Sequence, residues 1–156
     1  MLSLHAADAV EPGGGMPPVA GGAVLVDGDR IAAVGPLAEL AAAHPAARVR
    51  RWVGTLRSGR AEEAGAGLAE AAGLADARER GEAARRAAHA MLTRGVTSVL
   101  GHVADPVVRS AVARSGLGFG PPAPLLPDGR ADFAVFASDG RCVATVVAGR
   151  LVHRRS

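Results

Sequence analysis

The sequence predicts an α+β fold: a small β-sandwich formed by both termini, carrying a mainly helical insertion that contains one β/α unit. Three observations point there. Two β-rich blocks sit at opposite ends and read as halves of one β domain, residues 1–57 and 128–156. The stretch between them, residues 58–127, is rich in Ala, Glu and Arg and carries two helix-start signals, at Asp76 and at Asp105-Pro106. Within it, Val96-Thr97-Ser98-Val99-Leu100 is a β-branched run followed by one of those helices.

Taken in order, residues 2–10 read as a first strand. The loop that follows holds Gly13-Gly14-Gly15 and Pro17-Pro18. A phosphate loop would need a helix directly after its glycines, whereas here a strand follows, so a hairpin connection is expected. Residues 23–26 and 30–34 are strands joined at Asp27-Gly28-Asp29, a hairpin signal because the turn requires positive φ. Gly35-Pro36 ends the second strand, and residues 37–43 form a short helix stopped at His44-Pro45. Residues 47–53 return as a strand anchored by Val49 and Trp52.

Residues 58–73 have conflicting signals. Ala and Glu favour helix, but Gly59, Gly65, Gly67 and Gly73 each cost about 1 kcal/mol relative to Ala in a helix interior. A broken helix or mobile segment is expected. From Asp76 a helix runs with Ala77, Ala84, Ala88 and Met91 on one face, and Gly95 stops it. After the strand at 96–100, Pro106 opens a helix whose apolar face is Val108, Ala111 and Val112, closed by Gly116. The Pro121-Pro122-Ala123-Pro124 run is an extended connector. The final strands are residues 133–137 and 143–152, with Asp139-Gly140 as their turn.

Hydrophobic residues make up 49% of the 156, yet aromatics only 3%, so the core must be built from Val, Leu, Ile and Ala. All 18 basic residues are Arg, a bias that suggests a GC-rich bacterial genome. The net charge of +3 is too modest for a nucleic-acid surface. The densest basic run, Arg48, Arg50, Arg51, Arg57 and Arg60, reads as a solvated strand end and loop. No apolar stretch reaches the length of a membrane span and no signal peptide is visible, so the cytoplasm is the expected compartment. Cys142 is the lone cysteine and is expected to be a buried structural residue.

The N-terminal block Gly22-Ala23-Val24-Leu25-Val26-Asp27-Gly28-Asp29-Arg30-Ile31-Ala32-Ala33-Val34-Gly35-Pro36 is one half of a resemblance. The C-terminal block around Phe133-Ala134-Val135-Phe136 and Val143-Ala144-Thr145-Val146-Val147 is the other. Together they resemble the flanking β-sandwich of the amidohydrolase superfamily, most closely the imidazolonepropionase and aminodeoxyfutalosine deaminase branch. The likeness covers roughly residues 1–57 and 128–154, and Gly95-Val96-Thr97-Ser98-Val99 resembles an early barrel strand of those enzymes.

The resemblance implies a sandwich that brackets a metal-bearing (β/α)₈ barrel. Such a barrel needs about 250 residues, and the span from Ala61 to Ala123 cannot hold one. The family's first barrel strand carries Pro-Gly-x-x-Asp-x-His-x-His, which supplies two metal-binding imidazoles. The corresponding stretch here, from Trp52 through Thr55 and Arg60 to Glu63, has no His, and no His-x-His follows.

Of the five histidines, His5 and His153 lie in the first and last strands and are placed to neighbour one another. His44 sits in an exposed turn and His89 on the helix from Asp76. His102 follows the 96–100 strand, where β/α enzymes place their chemistry, with Asp105 three residues on. Asp105 as an N-cap and His102 as a loop residue is the preferred reading. No residue is assigned a catalytic, metal-binding or cofactor-binding role, and no cofactor is expected. The expected function is a non-catalytic amidohydrolase-like module with a structural, interaction or ligand-binding role. The alternative is a metal-dependent hydrolase of C–N bonds other than peptide bonds, with a reduced or oligomer-assembled site. A homo-oligomer or a protein partner is left open, including one whose barrel this chain completes; nucleic acid and membrane are not expected partners.

Overall fold

The computed structural model describes residues 1–155. In chain order the elements are β1 (Leu2–Ala6), β2 (Ala9–Glu11), β3 (Val19–Ala20), β4 (Gly22–Asp27), β5 (Arg30–Pro36), α1 (Leu37–Ala43), β6 (Arg48–Arg51), β7 (Thr55–Arg57) and β8 (Arg60–Glu63). There follow α2 (Ala66–Ala72), α3 (Ala77–Thr93), β9 (Val96–Leu100), α4 (Pro106–Arg114), β10 (Gly118–Phe119), β11 (Phe133–Phe136), β12 (Cys142–Val147) and β13 (Arg150–Arg154). No helix among the described residues is long and apolar enough to cross a membrane.

The strands form three sheets: β5-β4-β1-β6, β13-β12-β11-β7-β2-β3 and the parallel β10-β9-β8. Alternation along each strand assigns the faces. In β4, Val24 and Val26 point inward with Ile31 of β5. They meet Val10, Leu56, Phe133, Val135, Ala144 and Val146 of the six-stranded sheet in one buried cluster. The intervening Leu4, Ala6, Ala23 and Leu25 point outward, where Leu37, Leu40 and Ala41 of α1 cover them. The other face of the six-stranded sheet carries Ala134, Phe136, Cys142, Thr145 and Val147. It receives α3: the Thr145 hydroxyl donates to the Leu92 carbonyl at 2.7 Å, and Val147 joins the helical core. The six-stranded sheet is therefore the central layer.

Both ends of the chain build that layer. In the N-terminal block, β7 pairs antiparallel with β11 of the C-terminal block, placing Leu56 opposite Val135. The hairpin tips also meet. The amide N–H groups of Ile31 and Ala131 donate to Gly129 and Asp29 at 2.8 Å each. Gly149, at φ +76, presses against the Gly28 carbonyl so closely that a Cβ would collide with it.

Three sequence expectations are corrected. Residues 2–10 are two strands in different sheets, because the chain switches sheets at Ala7-Asp8, where the Asp8 carboxylate accepts from the Gly54 N–H at 2.8 Å. Residues 58–73 are a strand and a helix, β8 and α2. The glycines that argued against helix fall at the flanks of α2 except Gly67, and Gly59 precedes β8. Val49 is not an anchor: β6 is an edge strand and Val49 is 39% exposed, while Trp52 does pack on the inter-sheet core.

His5 of β1 is buried between the sheets. Its Nδ1 accepts from the Trp52 indole N–H at 3.4 Å, and Phe133 sits edge-on at 5.1 Å. Burial, reinforced by the nearby Arg50 charge, lowers its pKa from 6.5 to about 4. The unfolded chain therefore takes up this proton first as pH falls. The stability contributed by neutral His5 is complete above pH 6.5 and is lost progressively between 6.5 and 4, amounting to about 3 kcal/mol. Urea unfolding at stepped pH should show wild-type stability falling across that window more steeply than that of His5→Leu. Parallel curves for the two proteins would contradict the buried neutral imidazole.

Candidate functional site

In β/α architectures ligands meet the C-terminal ends of parallel strands, so the β10-β9-β8 sheet is where a site is sought. Its helix-facing side is apolar. Val96 and Val99 of β9 pack with Leu68 of α2, Ala84, Ala88 and Leu92 of α3, and Val108 and Val112 of α4. Gly95 makes the α3–β9 turn possible at φ +81, and a Cβ there would lie 2.6 Å from the Phe136 ring. A register shift passes over Thr97: Arg60 is opposite Val96, while Ala61 is opposite Ser98. The shift returns Val99 to the helix side. Ala61, Glu63, Ser98, Leu100 and Gly118 occupy the alternate register positions on the open side.

At the C-terminal edge, Glu63 ends β8, and His102 stands exposed two residues beyond β9. His102 borders a cleft of about 160 Å³ with Leu68, Val103, Asp105 and Val108. The sequence placed His102 and Asp105 near each other, and both line this cleft. Asp105, however, is engaged structurally. One carboxylate oxygen accepts from the Val107 and Val108 amides at 3.0 Å each, capping α4. The other lies 3.4 Å from Arg80 Nε. Arg80 in turn donates to the Leu74 and Ala75 carbonyls at 3.0 and 2.9 Å. Asp105 thus fastens the starts of α3 and α4 together.

The remaining histidines are dispersed. Contrary to expectation, His5 and His153 lie on opposite sides of the six-stranded sheet: His5 points into the inter-sheet core against Phe133, whereas His153, opposite Thr145, faces α3 near His89. Burial lowers the His153 pKa, with Arg155 and the nearby His89 imidazole acting in the same direction. His44 is half-buried at the C-cap of α1 rather than exposed, and His89 is exposed on α3. Cys142 is buried beside the Thr145 hydroxyl at 3.2 Å, and burial raises its thiol pKa.

The arginine run also splits. Arg48, Arg50 and Arg51 lie on β6, whereas Arg57 and Arg60 each stand 4.4 Å from the Phe136 ring centroid. The triple glycine leads into β3, not a helix.

These donors do not fit a catalytic zinc, which takes about three protein ligands and an open position. No three His, Cys, Asp or Glu side chains converge among the described residues. Glu62 is held by Arg94 at 2.7 Å, and Asp105 by its cap and Arg80.

A polar pair escaped sequence reasoning. Arg130 and Asp132 flank a tight turn in which the Asp132 N–H donates to the Arg130 carbonyl at 2.9 Å; Arg130 Nε lies 3.3 Å from Asp132 Oδ1, which also accepts from the Ala148 N–H at 2.8 Å. Burial raises the Asp132 pKa against the pull of that N–H and of Arg130 and Arg30. The available signal was two opposite charges two residues apart, just after the Asp128-Gly129 turn residues.

Asp105→Ala should cost about 1–2 kcal/mol for the lost cap, and more through the stranded Arg80 charge. Urea denaturation of Asp105→Ala and Arg80→Met, singly and together, checks this. The double variant should recover part of the loss; strict additivity would contradict the clamp.

Residues 22–47 match the family model described as the imidazolonepropionase-like composite domain of bacteria. No curated protein sequence matches the chain. Among solved structures it resembles an adenosine deaminase from Xanthomonas campestris with bound zinc (18% identity, TM-score 0.56), covering 80% of this chain and 36% of that one. The aminofutalosine deaminase of Helicobacter pylori gives 16% identity and a TM-score of 0.53, covering 76% of this chain and 32% of that one. An amidohydrolase from an environmental sample of the Sargasso Sea gives 18% and 0.51, covering 76% and 33%. The chain spans about a third of the length of these structures. At such identities the likeness is one of fold. Residues 22–47 are thus similar to the imidazolonepropionase-like composite domain, and the fold around them is similar to that of these deaminases and amidohydrolases.

Proposed function

We propose that the chain is a non-catalytic amidohydrolase-like module with a structural, interaction or ligand-binding role. The observation that carries this reading is the C-terminal edge of the parallel sheet. The carboxylate best placed to work with His102, that of Asp105, is committed to two α4 amides and to Arg80. The position that would supply paired imidazoles is occupied by Arg60, Ala61, Glu62 and Glu63. The sandwich halves, 1–57 with 128–156, act as one unit in this reading, and residues 58–127 are its insertion. A second copy or a protein partner would meet the chain along the free edges of β8 and β10.

The second reading is a hydrolase of C–N bonds other than peptide bonds. Its support is the likeness to deaminases and the position of Glu63 and His102 at the edge where such folds place chemistry. The two readings separate experimentally. The purified chain, incubated with zinc and then desalted, should retain no stoichiometric metal by elemental analysis. It should turn over neither adenosine nor imidazolonepropionate, and His102→Ala should behave identically. Stoichiometric zinc that His102→Ala removes, or turnover that it abolishes, would establish the second reading.

A further inference from the structure

The proline-rich connector, residues 120–124, does more than join β10 to β11. Ser98 and Ser58 hydroxyls donate to the Gly120 and Ala123 carbonyls, the latter at 2.7 Å, and hold the connector against the open side of the parallel sheet. A cleft of about 280 Å³ remains between Ser98 and Gly118 on one side, Pro121, Pro122 and Pro124 on another, and Arg130 with Asp132 at its end.

The charged end is only half used. Arg130 donates to the Gly116 carbonyl through one terminal nitrogen and pairs with Asp132 through Nε. Its other terminal nitrogen, Nη1, has no acceptor among the described residues and lies beside Gly118, where a Cβ would stand 3.4 Å from it. Asp132 uses Oδ1 for Arg130 and for the Ala148 amide, leaving Oδ2 without a donor among the described residues. Arg30, which also acts on Asp132, has its guanidinium 3.7 Å from Asp29, so the surroundings add little net charge.

We propose that this cleft binds the zwitterionic head of a small free amino acid, its carboxylate on Arg130 Nη1 and its ammonium on Asp132 Oδ2. An ion pair side by side is matched by a ligand carrying both charges in the opposite order, each making a charge-assisted hydrogen bond. A simple anion would have to sit beside the Asp132 carboxylate, and a simple cation beside the Arg130 guanidinium; each gains one contact and suffers one repulsion. The volume restricts the ligand to a compact side chain, which the proline rings would face. The inference rests on the ligand-binding form of the proposed function and gives it a ligand class.

The test uses the whole chain, titrated with L-alanine, L-valine and L-proline and followed by calorimetry and by amide chemical shifts. Acetate and methylammonium serve as single-charge controls. At least one of the amino acids should saturate the site and bind about tenfold or more tightly than either control. Because Arg130 and Asp132 also hold the backbone, the diagnostic variant is Gly118→Ala. It places a methyl group against Nη1 and leaves both charges in place. Its circular dichroism spectrum should match the wild type, and its affinity should fall about tenfold or more. Amino acids binding no better than acetate would overturn the proposal, as would equal binding by wild type and Gly118→Ala or a complete absence of binding. None of these results bears on metal retention or turnover, so the cleft can fail while the non-catalytic reading stands.

Discussion

The antiparallel pairing of β7 with β11 is the contact on which the rest of the molecule depends. It joins residues nearly eighty positions apart in sequence and makes one sheet from both ends of the chain. Once Leu56 lies opposite Val135, β11 brings Phe133 under His5 and Trp52, and the inter-sheet core closes. The opposite face, with Phe136, Thr145 and Val147, then receives α3 and the turn into β9. Closing so long a loop costs chain entropy, although the cost grows only slowly with length. Burial of Phe133, Leu56 and Val10, all essentially inaccessible to solvent, opposes it at about 25 cal/mol for each Å² of apolar surface removed from water.

That pairing also limits what the insertion can become. β8 must leave the sheet immediately after β7, and the 120–124 connector must return to β11. Between those fixed points there is room for three parallel strands and three helices, which make a half-covered sheet rather than a closed barrel. The helices bury one side through Val96 and Val99. The other is left to small and polar residues, Ala61, Ser98 and Gly118, and to the connector that crosses it. The open side, crossed by the connector, is where the cleft beside Arg130 and Asp132 lies.

Much of the fold was legible because local signals and tertiary structure agree. The Asp27-Gly28 turn, α1 at its stated bounds, the Asp76 and Asp105-Pro106 helix starts and the β9 run all formed where their residues indicate. What escaped depends on partners distant in sequence. β8 has the sequence Arg-Ala-Glu-Glu, without β propensity, and is a strand because β9 lies beside it and Arg94 holds Glu62. The break between β1 and β2 is set by Asp8 binding the Gly54 amide, a contact 46 residues away that no periodicity announces. In the candidate site, the N-cap role of Asp105 was readable from the proline after it. Its ion pair with Arg80, and the convergence of Arg130 and Asp132 on the connector cleft, required the three-dimensional arrangement.

The measurement that addresses the account most directly is native-state hydrogen exchange at the β7–β11 seam. If the two ends of the chain form one cooperative sheet, the hydrogen-bonded amides of β7 and β11 open only with global unfolding. They should then share one opening free energy and one denaturant dependence with the buried amides of β4 and β12. Faster exchange at the seam, with a shallow denaturant dependence while β4 and β12 stay protected, would show that the halves separate independently and would contradict the account.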